Sequence, residues 1–197
     1  IPKLQNGTTT GTTNDQDNYY GGDASKWIEA ANTLKARYYL QTKQYNQALT
    51  YVVSGISSAA NTMSYNPIGE VDGNSNILNN FVNSSRAGDM TGVGAFYRDL
   101  TDPTNANSRN NAKTDETARR QYTYIDGDGG QTDGIDDADT PMKLVSYEEN
   151  LLIWAEASLR SNATNFNIAL TKLNEHRANL RNGIYFPVTA SVLYDDY

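Results

Sequence analysis

The sequence contains no cysteine, one histidine and five prolines in 197 residues. Without cysteine there is no disulfide scaffold, no thiolate zinc site and no cysteine nucleophile. A lone histidine, His176, excludes a multi-histidine metal site and leaves a Ser-His-Asp arrangement only one candidate base. No apolar run approaches the roughly 18 residues that a membrane-spanning helix needs. Positive charge is scarce: 16 Lys and Arg stand against 23 Asp and Glu, for a net charge of -7. Nucleic-acid binding, which requires a basic face, is therefore disfavoured. The sequence also lacks a Gly-x-Ser-x-Gly elbow and a phosphate-binding glycine loop.

What remains is polar but not highly charged. Hydrophobic residues make up 38% and charged residues 20%, both below globular averages, and the mean hydropathy is -0.67. The uncharged remainder is rich in Asn (23) and Thr (20). Yet 14 Tyr, 4 Phe and 2 Trp are present, and a disordered chain would be poor in aromatics. The composition describes a folded core wrapped in long polar loops, with a lean toward an exported protein. The chain opens Ile1-Pro2-Lys3, without Met or a signal peptide, and reads as a processed or excised piece of something longer.

Residues 1–18 are low in complexity and read as a flexible arm. A first helix pair is expected over 19–60. Asp23 or Ser25 caps its first helix, and Trp27, Ala31, Leu34 and Tyr38 recur at helical spacing as a buried face. The second helix spans about 45–59, with Tyr45, Ala48, Leu49, Val52, Val53 and Ile56 as its apolar stripe. Residues 61–145 form a loop-rich insertion. Short helices are expected near Ile77–Val82 and Phe96–Leu100, the latter stopped by Asp102-Pro103, with a brief strand at Gln121–Ile125. Residues 126–139 carry six Asp and four Gly and read as an acidic loop.

Order returns over 146–183 with a second helix pair. Ser146-Tyr147-Glu148-Glu149 is a capping box. Leu151, Leu152, Ala155 and Leu159 face inward, and Glu156 and Arg160 stand four apart as a surface pair. The last helix carries Phe166, Ala169, Leu170, Leu173 and Leu180 and ends at Asn182-Gly183. Residues 184–197 are a tail. A weak repeat relates Tyr45-Asn46-Gln47-Ala48-Leu49-Thr50 to Phe166-Asn167-Ile168-Ala169-Leu170-Thr171. An aromatic three residues before Ala-Leu suits the second helix of a tetratricopeptide-like unit, whose small Ala admits a close neighbour. The expected fold class is mainly α, built from tetratricopeptide-like antiparallel helix pairs around a long irregular insertion. Three or more repeats are normally needed for stability, so the chain reads as incomplete.

Several segments together resemble the SusD/RagB family. Tyr20 to Arg37 contains Gly22-Asp23, Lys26-Trp27, Ala31-Asn32, Leu34-Lys35 and Arg37. Pro141 to Ala157 contains Tyr147-Glu148-Glu149 and Ala155-Glu156-Ala157, followed by Ala169-Leu170, Leu173-Asn174 and Arg177. Asp102-Pro103 resembles the family's Asp-Pro-Arg element, but Thr104 replaces the Arg, so any role of that Arg does not carry over. The resemblance spans about residues 19–181. It implies a lipid-anchored protein on the outer face of the outer membrane of Bacteroidetes-type bacteria. Such a protein binds glycans or other nutrients and acts as a lid on a TonB-dependent, SusC-like transporter, without being an enzyme. It also implies one SusD-like domain, of which this chain covers less than half.

The chemistry-bearing residues are weighed beside that resemblance. A sugar offers an apolar ring face and a hydroxyl edge, which exposed aromatics and nearby polar groups match. Tyr65, Tyr97, Tyr122 and Tyr124 lie in the insertion, with Arg119 and Arg120 beside Tyr122 as the best local cluster. Trp27, Tyr38, Tyr45 and Phe166 lie at core spacing and read as packing. Asp126, Asp128 and Asp133 suggest hard-oxygen Ca²⁺ ligation. The loop departs from the EF-hand pattern at Gly130, Gln131 and Asp137, so a solvated loop without a cofactor is the default. No pair of carboxylates stands out as glycosidase machinery. The alternative to nutrient capture is a helical-repeat scaffold for protein partners.

Overall fold

In the computed structural model, residues 17–67, 74–85, 89, 96–123, 134–188 and 192–197 are described. The helices are α1 (Ala24–Gln41), α2 (Tyr45–Val52), α3 (Ile77–Asn79), α4 (Phe96–Thr101), α5 (Thr117–Tyr122), α6 (Tyr147–Ser161) and α7 (Phe166–Arg181). A π-helical turn, Asn80–Ser85, continues α3. Four short strands, β1 (Met63–Tyr65), β2 (Thr114–Asp115), β3 (Met142–Val145) and β4 (Leu193–Tyr194), form two ribbons, β1 with β3 and β2 with β4. The expected mainly helical class is what the chain adopts. It divides into two units, residues 1–65 with 143–176 and residues 66–142 with 177–197.

The first unit holds α1, α2, α6 and most of α7. Upstream of α1, the Asp17 carboxylate accepts hydrogen bonds from the amides of Tyr19, Tyr20 and Gly22 and from Trp27 Nε1, at 2.8–3.2 Å. Tyr19 and Tyr20 meet the Trp27 ring edge-on. Burial alone would raise the Asp17 carboxyl, but donation from Trp27, Gly22, Tyr20 and Tyr19 outweighs it and brings the pKa down to about 2. A depressed native pKa contributes stability above the unfolded value, near 4, that is lost as pH falls through 2. Asp17→Asn is therefore expected to melt below the wild type at pH 7, with the difference closing between pH 4 and pH 2 in a pH series of thermal melts.

Asp23 caps α1 by accepting from the Ser25 amide. The buried positions on α1 are Ala30, Asn32, Thr33 and Ala36, with Leu34 half-buried. Tyr38, expected inside, is 61% exposed. The α1 helix packs against both α2 and α6, and small residues at the contact let backbones approach where a tyrosine ring does not fit. Helix α2 stops at Val52 rather than near 59. The chain then turns through Gly55. Asn150 of α6 donates to the carbonyls of Val52 and Ile56, both at 3.1 Å, and Thr33 Oγ1 accepts the Ile56 amide. Ile56 stays buried from this turn, while Val53 is exposed.

Helix α6 shows the same effect from its own side. Ser146 Oγ accepts the Glu149 amide, but the Glu149 carboxylate, expected to close a reciprocal box, forms an ion pair with Arg37 of α1. With Asn150 turned inward, the buried face runs through Leu151, Ile153 and Ala157. Leu152 and Leu159, expected inside, are exposed. Glu156 and Arg160 pair on the surface at 2.7 Å, as expected. Two clusters of the core are Ala30, Ile56 and Val145, and Ala36, Val52 and Ile153. The repeat alanines Ala48 and Ala169 are both buried. Phe166, expected to pack, is 55% exposed, whereas Trp27 and Tyr45 are half-buried.

Two helices end in the same Schellman geometry. After α7, Gly183 (φ +67°) donates to Leu180 O, and Ile184 donates to Asn179 O. After α1, Lys43 donates to Leu40 O, and Gln44 donates to Tyr39 O. Lys43 adopts φ 59°, where a side chain costs on the order of 1–2 kcal/mol.

The second unit is organised by side chains that bind loop backbone. Buried Asn76 caps α3, accepting from Leu78 N, and its Nδ2 donates to the carbonyls of Ile135 and Thr140. Helix α4 runs to Thr101 and is closed by Asp102, whose carboxylate accepts from Thr104 N and Oγ1. The strand expected at Gln121–Ile125 is corrected: residues up to Tyr122 are in α5. Asp115 receives the Thr117 amide and hydroxyl and turns the chain into a helix, with a Glu116–Arg119 pair at (i, i+3). That local chemistry overrides the strand preference of Tyr122 and Thr123.

Candidate functional site

Among the described residues, those singled out as ligand contacts fall in both units. Tyr65 ends β1 in the first unit and is half-buried. Tyr97, Arg119, Arg120 and Tyr122 belong to the second unit. Tyr124 and the candidate Ca²⁺ ligands Asp126, Asp128 and Asp133 lie outside the described residues.

Both arginines on α5 are committed to carboxylates. Arg119 binds Glu116 through Nε (2.8 Å) and Nη2 (2.9 Å). Arg120 Nη2 reaches Asp102 Oδ2 at 3.0 Å. Hydrogen bonds from the Thr104 hydroxyl and amide hold the Asp102 carboxyl below its usual range, with Arg120 and Arg98 adding to the effect. Tyr122 stacks on Phe186, with ring centroids 5.5 Å apart. All three positions thus make contacts within the second unit.

Tyr97 differs. It is 42% exposed on α4, next to Phe96 at 68%. The Arg119 guanidinium lies 5.8 Å from the Tyr97 ring centroid, and the Tyr97 and Thr123 hydroxyls are 3.3 Å apart. Behind Arg119, the Tyr194 hydroxyl donates to Glu116 Oε2 at 2.5 Å. Burial and the Glu116 carboxylate push the Tyr194 phenol far above its ordinary value. Tyr97 thus presents an aromatic ring braced by a cation whose charge is already balanced. Glu116 and Tyr194 escaped the sequence reading because they are 78 positions apart, and neither belongs to a motif.

A concavity lies wholly in the first unit. Residues 43–47, Arg160 and Ser161 line a cleft of about 370 Å³. The Arg160 guanidinium is 6.0 Å from the Tyr45 ring centroid. Sequence reasoning assigned Tyr45 to packing and Arg160 to a surface pair. The cleft arises only because the turn after α1 meets the end of α6.

Among the described residues, no group of three or more His, Asp or Glu side chains could hold a metal ion. His176 is buried in α7. No helix among the described residues is long and apolar enough to cross a membrane.

These features define a mainly helical scaffold that carries irregular, polar, aromatic-bearing loops. No protein-family model matches the sequence, and no curated protein matches it. Among solved structures, the chain is similar to a SusD/RagB family protein from Bacteroides thetaiotaomicron, with 25% identity and a TM-score of 0.53 over 89% of this chain. The SusD/RagB likeness read from the sequence is thus borne out by the fold. The chain spans 42% of that protein's length.

Proposed function

We propose that the chain is part of a SusD-like nutrient-binding lipoprotein at the outer face of the outer membrane. It captures a glycan and passes it to a TonB-dependent, SusC-like transporter, and no bond is broken. The fold likeness supports this by analogy. On the chain itself, the observation that carries the reading is the exposed Tyr97 ring, braced from one side by the neutralised Arg119–Glu116 pair. A ring presented without net charge suits the apolar face of a sugar.

Glycan-array binding followed by affinity electrophoresis tests it. Tyr97→Ala is expected to weaken binding roughly tenfold, the loss of one ring contact worth about 1–1.5 kcal/mol. The melting temperature should not change. Unchanged binding in that variant would count against Tyr97, and release of reducing sugar would overturn the non-enzymatic reading. The second reading, a scaffold for protein partners, draws on the exposed apolar side chains Leu152, Leu159, Phe166 and Ile168 of α6 and α7. Transporter pulldown by a chain with no sugar affinity would favour it.

A further inference from the structure

The Schellman turn after α1 departs from the one after α7 at a single informative position. The left-handed residue is Gly183 in one and Lys43 in the other. Glycine is the residue of least strain there. No polar contact rewards a lysine: its Nζ makes no hydrogen bond or ion pair among the described residues. What the side chain does is line the 370 Å³ cleft. A strained conformation retained beside a cavity is an indication of function.

The other walls narrow the chemistry. Tyr45 supplies a half-buried ring, with the Arg160 guanidinium 6.0 Å from its centroid. Asn46 and Gln47 are exposed amides, which suit hydroxyl edges as both donors and acceptors. Arg160 is already balanced by Glu156 at 2.7 Å, which leaves Lys43 as the cation without a partner. The volume lies at the lower end of small-molecule sites, roughly 300–1,000 Å³, and fits one or two sugar rings.

We infer that this cleft is a binding subsite for a carboxylated sugar, with Lys43 receiving the carboxylate, Tyr45 the ring, and Asn46 and Gln47 the hydroxyls. The site is independent of Tyr97, so the two proposals fail separately.

The test is calorimetric titration of the whole chain with glucuronate-, galacturonate- and sialate-terminated oligosaccharides and with their carboxyl-reduced counterparts. Wild type is expected to prefer at least one carboxylated sugar over its reduced form by about tenfold, the contribution of a charge-assisted hydrogen bond. Lys43→Gly is expected to abolish that preference. Relief of backbone strain should at the same time leave the melting temperature unchanged or raised by a few degrees. Lys43→Gln, which keeps the side-chain bulk, should lose the preference in the same way, and Tyr97→Ala should retain it. Equal affinity for carboxylated and reduced sugars overturns the inference, as does wild-type preference in Lys43→Gly. Tight binding of neutral glycans alone would leave the Tyr97 reading standing and remove this one.

Discussion

Gly55→Ala is expected to lower the melting temperature of the chain by roughly 4–20 °C, from a loss of about 2–5 kcal/mol. The cause is steric and lies in one buried polar knot. A Cβ on residue 55 would stand 2.2 Å from Asn150 Oδ1, 2.6 Å from Thr33 Oγ1 and 2.9 Å from Asn150 Cγ. Neither side chain is free to retreat. Thr33 Oγ1 donates to Asn150 Oδ1 at 3.0 Å and accepts from the Ile56 amide. Asn150 Nδ2 holds the carbonyls of Val52 and Ile56. Admitting the methyl group breaks one or two of these bonds where water cannot replace them, and each buried group left unsatisfied costs about 1–3 kcal/mol. Asn150→Ala alone removes the side-chain donor to the Ile56 carbonyl and leaves Val52 O only the Gly55 amide, and is expected to destabilise by a similar amount. The two changes share one cause, so the double variant should be less destabilised than the sum by about 1 kcal/mol or more. Thermal melts of the four proteins in this cycle measure the coupling, and strict additivity would show that the knot does not behave as described.

The same knot explains what the sequence could and could not reveal. Helix existence was legible, because Asp23, Ser146 and Gly183 are local signals acting within a few residues. The face each helix buries was less so. Apolar periodicity selected Tyr38, Leu152 and Leu159, but α1 and α6 meet through Thr33 and Asn150. A polar residue enters the core only when a distant backbone needs it, and that need is invisible to periodicity. The high Asn content was plain from composition, while its purpose was not. Asn32, Asn76, Asn79 and Asn150 each donate to loop or turn carbonyls far along the chain. They supply in side chains what the irregular segments lack in ladders. The candidate site follows the same pattern. Arg119, Arg120 and Tyr122 stand together because they are adjacent in sequence, but their partners Glu116, Asp102 and Phe186 become visible only in the fold. Lys43 carried no signal at all, since a left-handed backbone at a lysine is not written in any short motif.

Removing Arg177 is expected to detach the β4 ribbon within the second unit. Arg177 is 7% exposed, and its guanidinium binds three acceptors from two chain segments. Nε donates to Asp195 O at 2.8 Å, and Nη2 donates to Lys113 O at 2.7 Å and to Thr114 Oγ1 at 3.0 Å. The Tyr197 ring lies 4.3 Å from the guanidinium carbon and the Tyr194 ring 5.6 Å. The ribbon itself is only two residues long on each side, pairing Thr114 with Tyr194 and Asp115 with Leu193. So short a pairing is not stable alone, and the planar fork of arginine joins its two strands. Arg177→Leu removes three charge-assisted bonds and leaves their acceptors behind, a loss of about 4 kcal/mol or more. Arg177→Lys should recover less than half of that, because one ammonium nitrogen does not span acceptors that the fork reaches from separate nitrogens. The loss is local, so hydrogen exchange is the sensitive readout. Amide protection at Thr114 and Asp195, which donate to Asn111 O and Lys113 O, should collapse in both variants, while the Ile56 amide in the first unit keeps its protection. Equal loss of protection at Ile56 would mean that Arg177 supports the whole chain and not the ribbon.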